Sequence, residues 1–431
     1  MKAFRVATVV LVLLFSVIIG WISYWNENDI MPVYGDSDGE KNGFVYVKAE
    51  ESEDGYSTIY VPSGENIRIL TLTDPQVKYP FNNYETLYGA SNEDTYVFVE
   101  RLVKAADPDL VVITGDIVMS QFTNNLKYLK RWANLFEELD VYWAPTFGNH
   151  DSEFTIGSGK IAENLGLGQS DEERVIEVLS QYPHCFAEYG DAGENAGGGN
   201  YFINIRNADG GLIYTLTMTD TVNGLLNKYL RYHTPEQTAW YERHIREINA
   251  AEYGTDSEIR IKNMMFTHVP LPEVFTAYEA WENGDGSVSV AYGYVLEGSA
   301  KSAGFEKSTM FDKIKELGAT TSVFFGHNHH NDARVIYDGV DLVFVQHSGL
   351  AHYYRMMADS REKTLDMTDI YRYGDARGGT LITIESDTSY TIEQFLAKDN
   401  IRYDDIKIDY EKVRNDLEEK GWVIIDESGE E

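Results

Sequence analysis

Three apolar runs in the first third of the chain each end on a residue that can bind something. "IRILTLTD" (67–74) ends at Asp74, "DLVVITGD" (109–116) at Gly115 and Asp116, and "VYWAPTFGNHD" (141–151) at Gly148, Asn149 and His150. Between them lie two stretches with apolar residues at helical spacing. One carries Val97, Leu102, Val103 and Ala106 and is stopped by Pro108; the other turns Leu126, Leu129, Trp132, Leu135 and Phe136 to one side. Strand, helix, strand, helix, strand is the order of a parallel α/β sheet, whose ligands gather beyond the carboxyl ends of the strands.

The second half repeats the ending. "NYFINI" and "IYTLTMTD" alternate as strands, "IKNMMFTHVPLPEV" ends at His268, "TSVFFGHNHHND" at Gly326, and "VDLVFVQHSG" at His347. In "HTPEQTAWYERHI", Thr234 fits an N-cap, Pro235 the first helical position, and Gln237 the third position of a capping box.

Charge and cysteine content narrow the chemistry. The 431 residues include 36 Lys and Arg against 70 Asp and Glu, a formal charge of −34. Such a surface argues against nucleic acid as a partner, because phosphate backbones need a basic footprint. It also repels anionic substrates unless a local positive centre reverses the field. Cys185 is the single cysteine, so neither an intrachain disulfide nor a cysteine zinc site can form. A metal would be held by His, Asp, Glu, Asn or Gln.

Near the N-terminus, Val6 to Trp25 is uncharged, long enough to span a bilayer core, with Lys2 and Arg5 before it and Glu27 and Asp29 after it. The expectation is a short inner segment (1–5), a signal anchor (6–25), and the bulk of the chain outside the cytoplasm; a cleaved signal peptide would give a secreted protein. Residues 26–65 read as an acidic stalk with edge strands "GFVYVKA" and "STIYVPSG", able to form a hairpin. The catalytic unit is expected over 66–396, and an accessory tail over 397–431 with a helix from Tyr410 to Lys420 followed by "WVIIDE".

The strand ends together offer Asp74 and Gln76, Asp116, Asn149 and His150, His268, and His327 and His329. Two divalent ions a few ångströms apart need a bridging carboxylate with nitrogen and oxygen donors on either side. A lone G-D or D-x-Q means little, since Asp and Gly are common in turns. Five such endings in one order are a specific signal.

In that order, D-x-Q, G-D, G-N-H-D, H and G-H-x-H, the chain resembles the calcineurin-like metallophosphoesterases. It is most similar to the branch of plant purple-acid-phosphatase-like proteins and fungal single-domain relatives, over roughly Ile67 to Ser386. The resemblance implies an α/β fold, a four-layer α/β/β/α sandwich, here preceded by the N-terminal transmembrane helix. It implies that Asp116 bridges two metals, the first also taking Asp74, Gln76 and His329, the second Asn149, His268 and His327. It further implies that His150 serves the phosphate or the leaving oxygen, with Asp151 as its partner, and that a hydroxide held by the metals attacks phosphorus. The expected activity is hydrolysis of a phosphomonoester, in a small phosphorylated molecule or a phosphoprotein, with a phosphodiesterase or a surface-anchored binding protein as alternatives. His347, at its strand end, is a candidate substrate contact. Two departures stand out. Gln76 occupies a place where the family most often has His, and Met119 one where purple enzymes have the iron-binding Tyr. The ions could be Mn, Fe, Zn or Mg; the absent Tyr removes the purple chromophore.

Overall fold

The computed structural model describes residues 30–35, 39–78, 92–119, 126–151, 171–190, 192–193, 196–220, 233–298, 308–350, 364–366, 376–402, 410–419, 421 and 423–425. The expected anchor, 6–25, lies outside the described residues. Among those described, no helix is long and apolar enough to cross a membrane.

The first strands are β1 (Glu40–Lys41), β2 (Phe44–Val47), β3 (Ser57–Val61), β4 (Ile67–Leu72) and β5 (Val77–Lys78). Helix α1 (Asn92–Ala106), β6 (Leu110–Thr114), β7 (Val118–Met119), α2 (Leu126–Glu138), β8 (Tyr142–Thr146) and α3 (Asp171–Ser180) follow. The second half has β9 (Tyr201–Asn207), β10 (Leu212–Thr219), α4 (Pro235–Tyr253), β11 (Asn263–Thr267), α5 (Glu273–Glu282), β12 (Ser289–Tyr294), α6 (Met310–Leu317), β13 (Thr320–Phe325), β14 (Asp332–Tyr337) and β15 (Val340–Phe344). The chain closes with β16 (Thr364–Asp366), β17 (Gly378–Ile384), β18 (Tyr390–Leu396), α7 (Ala397–Asn400), α8 (Tyr410–Glu419) and β19 (Val423–Ile425).

Two large sheets form. One has ten strands in the order β1-β2-β3-β9-β10-β11-β13-β15-β14-β12, the other five in the order β18-β17-β4-β6-β8. The strands that carry the motifs lie in the parallel part of each sheet: β4, β6 and edge strand β8 in the smaller, and β11 and β13, beside parallel β10, in the larger. Parallel strands covered on both faces read as continuous apolar runs, and β6, β8 and β11 are buried at every residue.

Three apolar layers hold the elements together. Leu102, Trp132, Phe136 and their neighbours on α1 and α2 pack on one face of the smaller sheet, with Val111, Ile113 and Trp143. Ile69, Val112 and Ala144 on its other face meet Ile203, Leu216, Phe266 and Phe324 of the larger sheet. The outer face of the larger sheet is covered by Tyr241 and Ile245 of α4, Val274 of α5 and Phe311 of α6. The capping box at α4 forms as the sequence dictates: Thr234 Oγ1 accepts from Gln237 N at 3.2 Å, and Gln237 Oε1 accepts from Thr234 N at 2.9 Å. Gln237 Nε2 then donates to the Asp220 carbonyl at 2.8 Å, tying the helix start to the end of β10.

Sheet membership does not follow chain order. Instead the β2–β3 hairpin leads into the larger sheet through β3 beside β9, and β17 returns to lie antiparallel to β4. The acidic stretch ahead of the hairpin is also fastened: Asn134 on α2 accepts from Val33 N (2.9 Å) and donates to the Met31 carbonyl (3.0 Å). In the tail, β19 pairs in parallel with β16.

Candidate metal centre

The motif residues converge where the two sheets meet. Past β4 the chain turns through Thr73, Asp74, Pro75 and Gln76. Asp74 N donates to the Gly115 carbonyl and Gln76 N to that of Asp116, both at 3.1 Å. On the other side Thr73 pairs with the segment after β15: Ser348 N donates to the Thr73 carbonyl (2.9 Å), and Thr73 N to Ser348 Oγ (3.0 Å). Asp74 thus stands between the end of β6 and the strand ends of the larger sheet.

The backbone is bent where the ligand candidates sit. Asp74, Gln76, Asp116 and His327 have φ of 52°, 40°, 49° and 70°. Side chains other than glycine rarely adopt this region, and such strain, on the order of 1–3 kcal/mol per residue, persists only where the surroundings enforce it. The glycines do the opposite work of allowing close approach. A Cβ on Gly326 would lie 2.0 Å from Thr73 Oγ1 and 2.6 Å from Asp74 Oδ2.

Asp116 is the centre. It is 1% exposed, and its Oδ1 accepts from the His150 amide at 2.8 Å. Its Oδ2 has Gln76 Nε2 at 3.1 Å, His268 Nε2 at 3.2 Å and His150 Nε2 at 3.9 Å. Asp74 Oδ1 lies 2.8 Å from His329 Nε2, while its Oδ2 accepts from Thr73 Oγ1 (2.7 Å) and His327 N (2.9 Å). Two donor groups result, Asp74 with Asp116 and His329, and Asp116 with His268 and His327. Within each, the possible ligand atoms all lie within 4.8 Å of one another. Asp116 belongs to both, as a bridging carboxylate must.

The protonation of the cluster follows from this crowding. Burial alone would raise the Asp74 and Asp116 carboxyls. Facing His329 and His268, Asp74 falls below the ordinary value; facing His268 and His150, Asp116 falls well below it. His268 is the counterpart: burial would lower it, yet Asp116 and Asp74 push it up to about 9. Its Nδ1 is set 2.9 Å from the Thr114 carbonyl, which leaves Nε2 turned toward Asp116; that nitrogen makes no hydrogen bond among the described residues. A buried imidazole nitrogen aimed at a shared carboxylate fits a metal ligand. Oxygen donors predominate around Asp74 and imidazoles around His268, a set suited to divalent first-row ions.

The remaining candidates fall around this core. Gln76 is buried and its amide reaches the cluster, with Nε2 also 3.4 Å from His329 Nε2; a half-turn of the amide would present Oε1 there instead. Asn149, 2% exposed, sits in the turn wrapped on Asp116. The side chain of His150 is 21% exposed, against 0% for His268 and 8% for His329, so it faces the open side. Asp151 accepts from Val118 N (3.0 Å) and Gly148 N (2.7 Å), which makes it a brace of the turn that carries Asn149 and His150. Burial and the nearby Asp116 push its carboxyl up to about 7. His347 is buried, with its ring 4.8 Å from that of His329, which puts it beside a ligand candidate.

Sequence reading missed residues that hold these in place, Thr73, Thr114 and Ser348; Thr73 and Thr114 are marked only by closing apolar strands.

The family model described as calcineurin-like phosphoesterase matches residues 67–331, more than half the chain. A protein of Arabidopsis thaliana named probable inactive purple acid phosphatase 29 is 25% identical over 309 residues, covering 69% of this chain and 73% of that one. Phosphatase DCR2 of Saccharomyces cerevisiae is 25% identical over 252 residues, covering 55% of this chain and 39% of the yeast protein. Among solved structures, a dimetal phosphatase from Danio rerio aligns with 76% of this chain and 99% of its own at 9% identity, with a TM-score of 0.41.

Proposed function

The chain belongs to the calcineurin-like phosphoesterase family, and on that premise we propose that it hydrolyses a phosphomonoester with two divalent metal ions. The observation that carries this is the position of Asp116 in both donor groups. In this reading Asp74, Gln76, Asp116 and His329 hold the first ion, and Asp116, Asn149, His268 and His327 the second. Such a pair supplies Lewis-acid charge for the phosphoryl oxygens and an activated water.

The chain's own residues do the rest. In this reading His150, whose side chain is 21% exposed, donates to a phosphoryl oxygen or protonates the leaving oxygen. Asp151 holds the turn that aims it. The cations also offset the repulsion that a chain of charge −34 exerts on a phosphate. The uncharged stretch from Val6 to Trp25 supports placing the domain outside the cytoplasm, on a membrane anchor or secreted, where small phosphorylated molecules or phosphoproteins could reach it.

A second reading is a binding protein with a weakened site. Gln76 and the word "inactive" in the name of the Arabidopsis relative favour it. p-Nitrophenyl phosphate and bis-p-nitrophenyl phosphate, each with Mn²⁺ and with chelator, separate the readings. Faster turnover of the monoester, lost on chelation and regained with Mn²⁺, is expected. Preference for the diester identifies a phosphodiesterase. Two bound ions without turnover of either ester identify the binding protein.

A further inference from the structure

The turn that carries His327 and His329 is gripped by a loop from outside the motif. β12 runs antiparallel to β14, and their ladder ends with Tyr294 opposite Asp332. Beyond that pair, side chains continue the contact. Asn331 Oδ1 accepts the amides of Leu296 and Glu297, each at 2.8 Å, and Asn331 Nδ2 donates to the Glu297 carbonyl at 2.8 Å. The grip is returned: Glu297 Oε2 accepts the His330 amide at 3.3 Å, and the His329 amide faces the same carboxylate. Only 18% of the Glu297 side chain is exposed, and a Cβ on the next residue, Gly298, would lie 3.1 Å from Asn328 Nδ2. The two loops are in contact along their length.

The two histidines of the turn are anchored differently. His327 is tied into the site by its own amide, which donates to Asp74 Oδ2 at 2.9 Å, one residue after Gly326 N donates to the His268 carbonyl at 3.0 Å. His329 lies two residues further out, where the backbone meets Glu297. The first donor group contains one imidazole, that of His329, whereas the second has those of His268 and His327. The first site therefore depends more on where a single ring stands.

We propose that Glu297 is a positioning residue for the first cation: by holding the His329–His330 backbone it fixes the His329 ring against Asp74. The proposal rests on the two-ion reading. Contacts outside the ligand shell that fix where a ligating histidine stands commonly contribute tens of fold in affinity.

Titration calorimetry of the chelator-stripped full chain with Mn²⁺ tests this. The wild type is expected to bind two ions. Glu297→Ala weakens one of them about 10-fold or more and leaves the other within about twofold. Glu297→Gln keeps an acceptor oxygen and recovers most of the loss, and Asn331→Ala, which opens the clasp from the other side, weakens the same ion. Unchanged binding in Glu297→Ala, equal weakening of both ions, or a Gln variant no better than Ala overturns the proposal. Should Glu297→Ala fail to fold, Asn331→Ala decides by the same criterion. A wild type that binds one ion overturns the two-ion reading and this proposal with it; two ions with an unaltered Glu297→Ala overturn this proposal alone.

Discussion

Gly148→Ala probes the site with a single methyl. The new Cβ would stand 2.2 Å from Asp116 Oδ1 and 2.4 Å from Asp116 N, where ordinary contact begins near 3.4 Å. Both neighbours are buried parts of the shared carboxylate and its backbone, so neither can swing away as a flexible side chain would. Asp116 or the 148–151 turn must shift by roughly 1 Å, a displacement that costs about 100-fold in rate when it reaches the reacting geometry. Overpacking of this kind costs about 1–3 kcal/mol, and losing the 2.7 Å bond from Gly148 N to Asp151 adds about 1 kcal/mol. Gly286 is the control: its Cβ would meet nothing within 4 Å, and Gly286→Ala should stay within about 0.5 kcal/mol of wild type. The assays are Mn²⁺ titration, p-nitrophenyl phosphate turnover and urea unfolding. The expected outcome is a Gly148→Ala protein about 2–4 kcal/mol less stable, with turnover reduced about 100-fold or more and weakened metal binding. A folded variant with affinity and turnover within about twofold of wild type would refute the claim that Gly148 sets the position of Asp116.

Three other perturbations test separate parts of the reasoning. Gln76→His should tighten the first ion, because imidazole is the stronger donor for first-row metals; an unaltered titration curve shows that Gln76 does not ligate. His268→Ala should remove one of two bound ions and, in metal-free protein, cost about 3 kcal/mol by depriving the buried Asp116 of the imidazole 3.2 Å from its Oδ2; a wild-type titration and urea midpoint would contradict both. Glu188 lies away from the centre, and burial pushes its carboxyl from 4.5 up to about 7, opposed by the hydrogen bond from Ser57. A folded-state value above the unfolded one means that the folded protein holds the proton longer, so stability falls as pH rises through about 5 to 7. Glu188→Gln removes that loss: the variant should gain up to about 3 kcal/mol over wild type at pH 8 and almost nothing at pH 4, read by urea unfolding. Equal gains at both pH values would show that ionisation is not the cause.

The sequence by itself named candidate donors and several of the elements that carry them. Helical spacing names the buried face of α2 and, in α1, Leu102, Val103 and Ala106, whereas Val97 is only half-buried and Tyr96, Phe98 and Val99 face the core; Thr234 and Gln237 fix the start of α4, and apolar runs mark β4, β6, β8, β11 and β13 with the candidate ligands beyond their ends. These are local signals, because side chains repeat every two or about 3.6 residues and caps act within one turn. The tertiary structure alone decided which strands share a sheet. β17 beside β4 joins residues 309 apart (Thr71 and Thr380), β3 beside β9 residues 146 apart (Ser57 and Ile203), and neither pairing is encoded in local periodicity. It alone also brought Asp116 into both donor groups, raised His268 through its two carboxylates, bent four ligand candidates into positive φ, and set Glu297 against the His329 amide. Each of these depends on distances between strand ends. A chain can list its donors in order, but only packing of the two sheets sets how far apart their atoms stand, and metal affinity and proton affinity both turn on that separation.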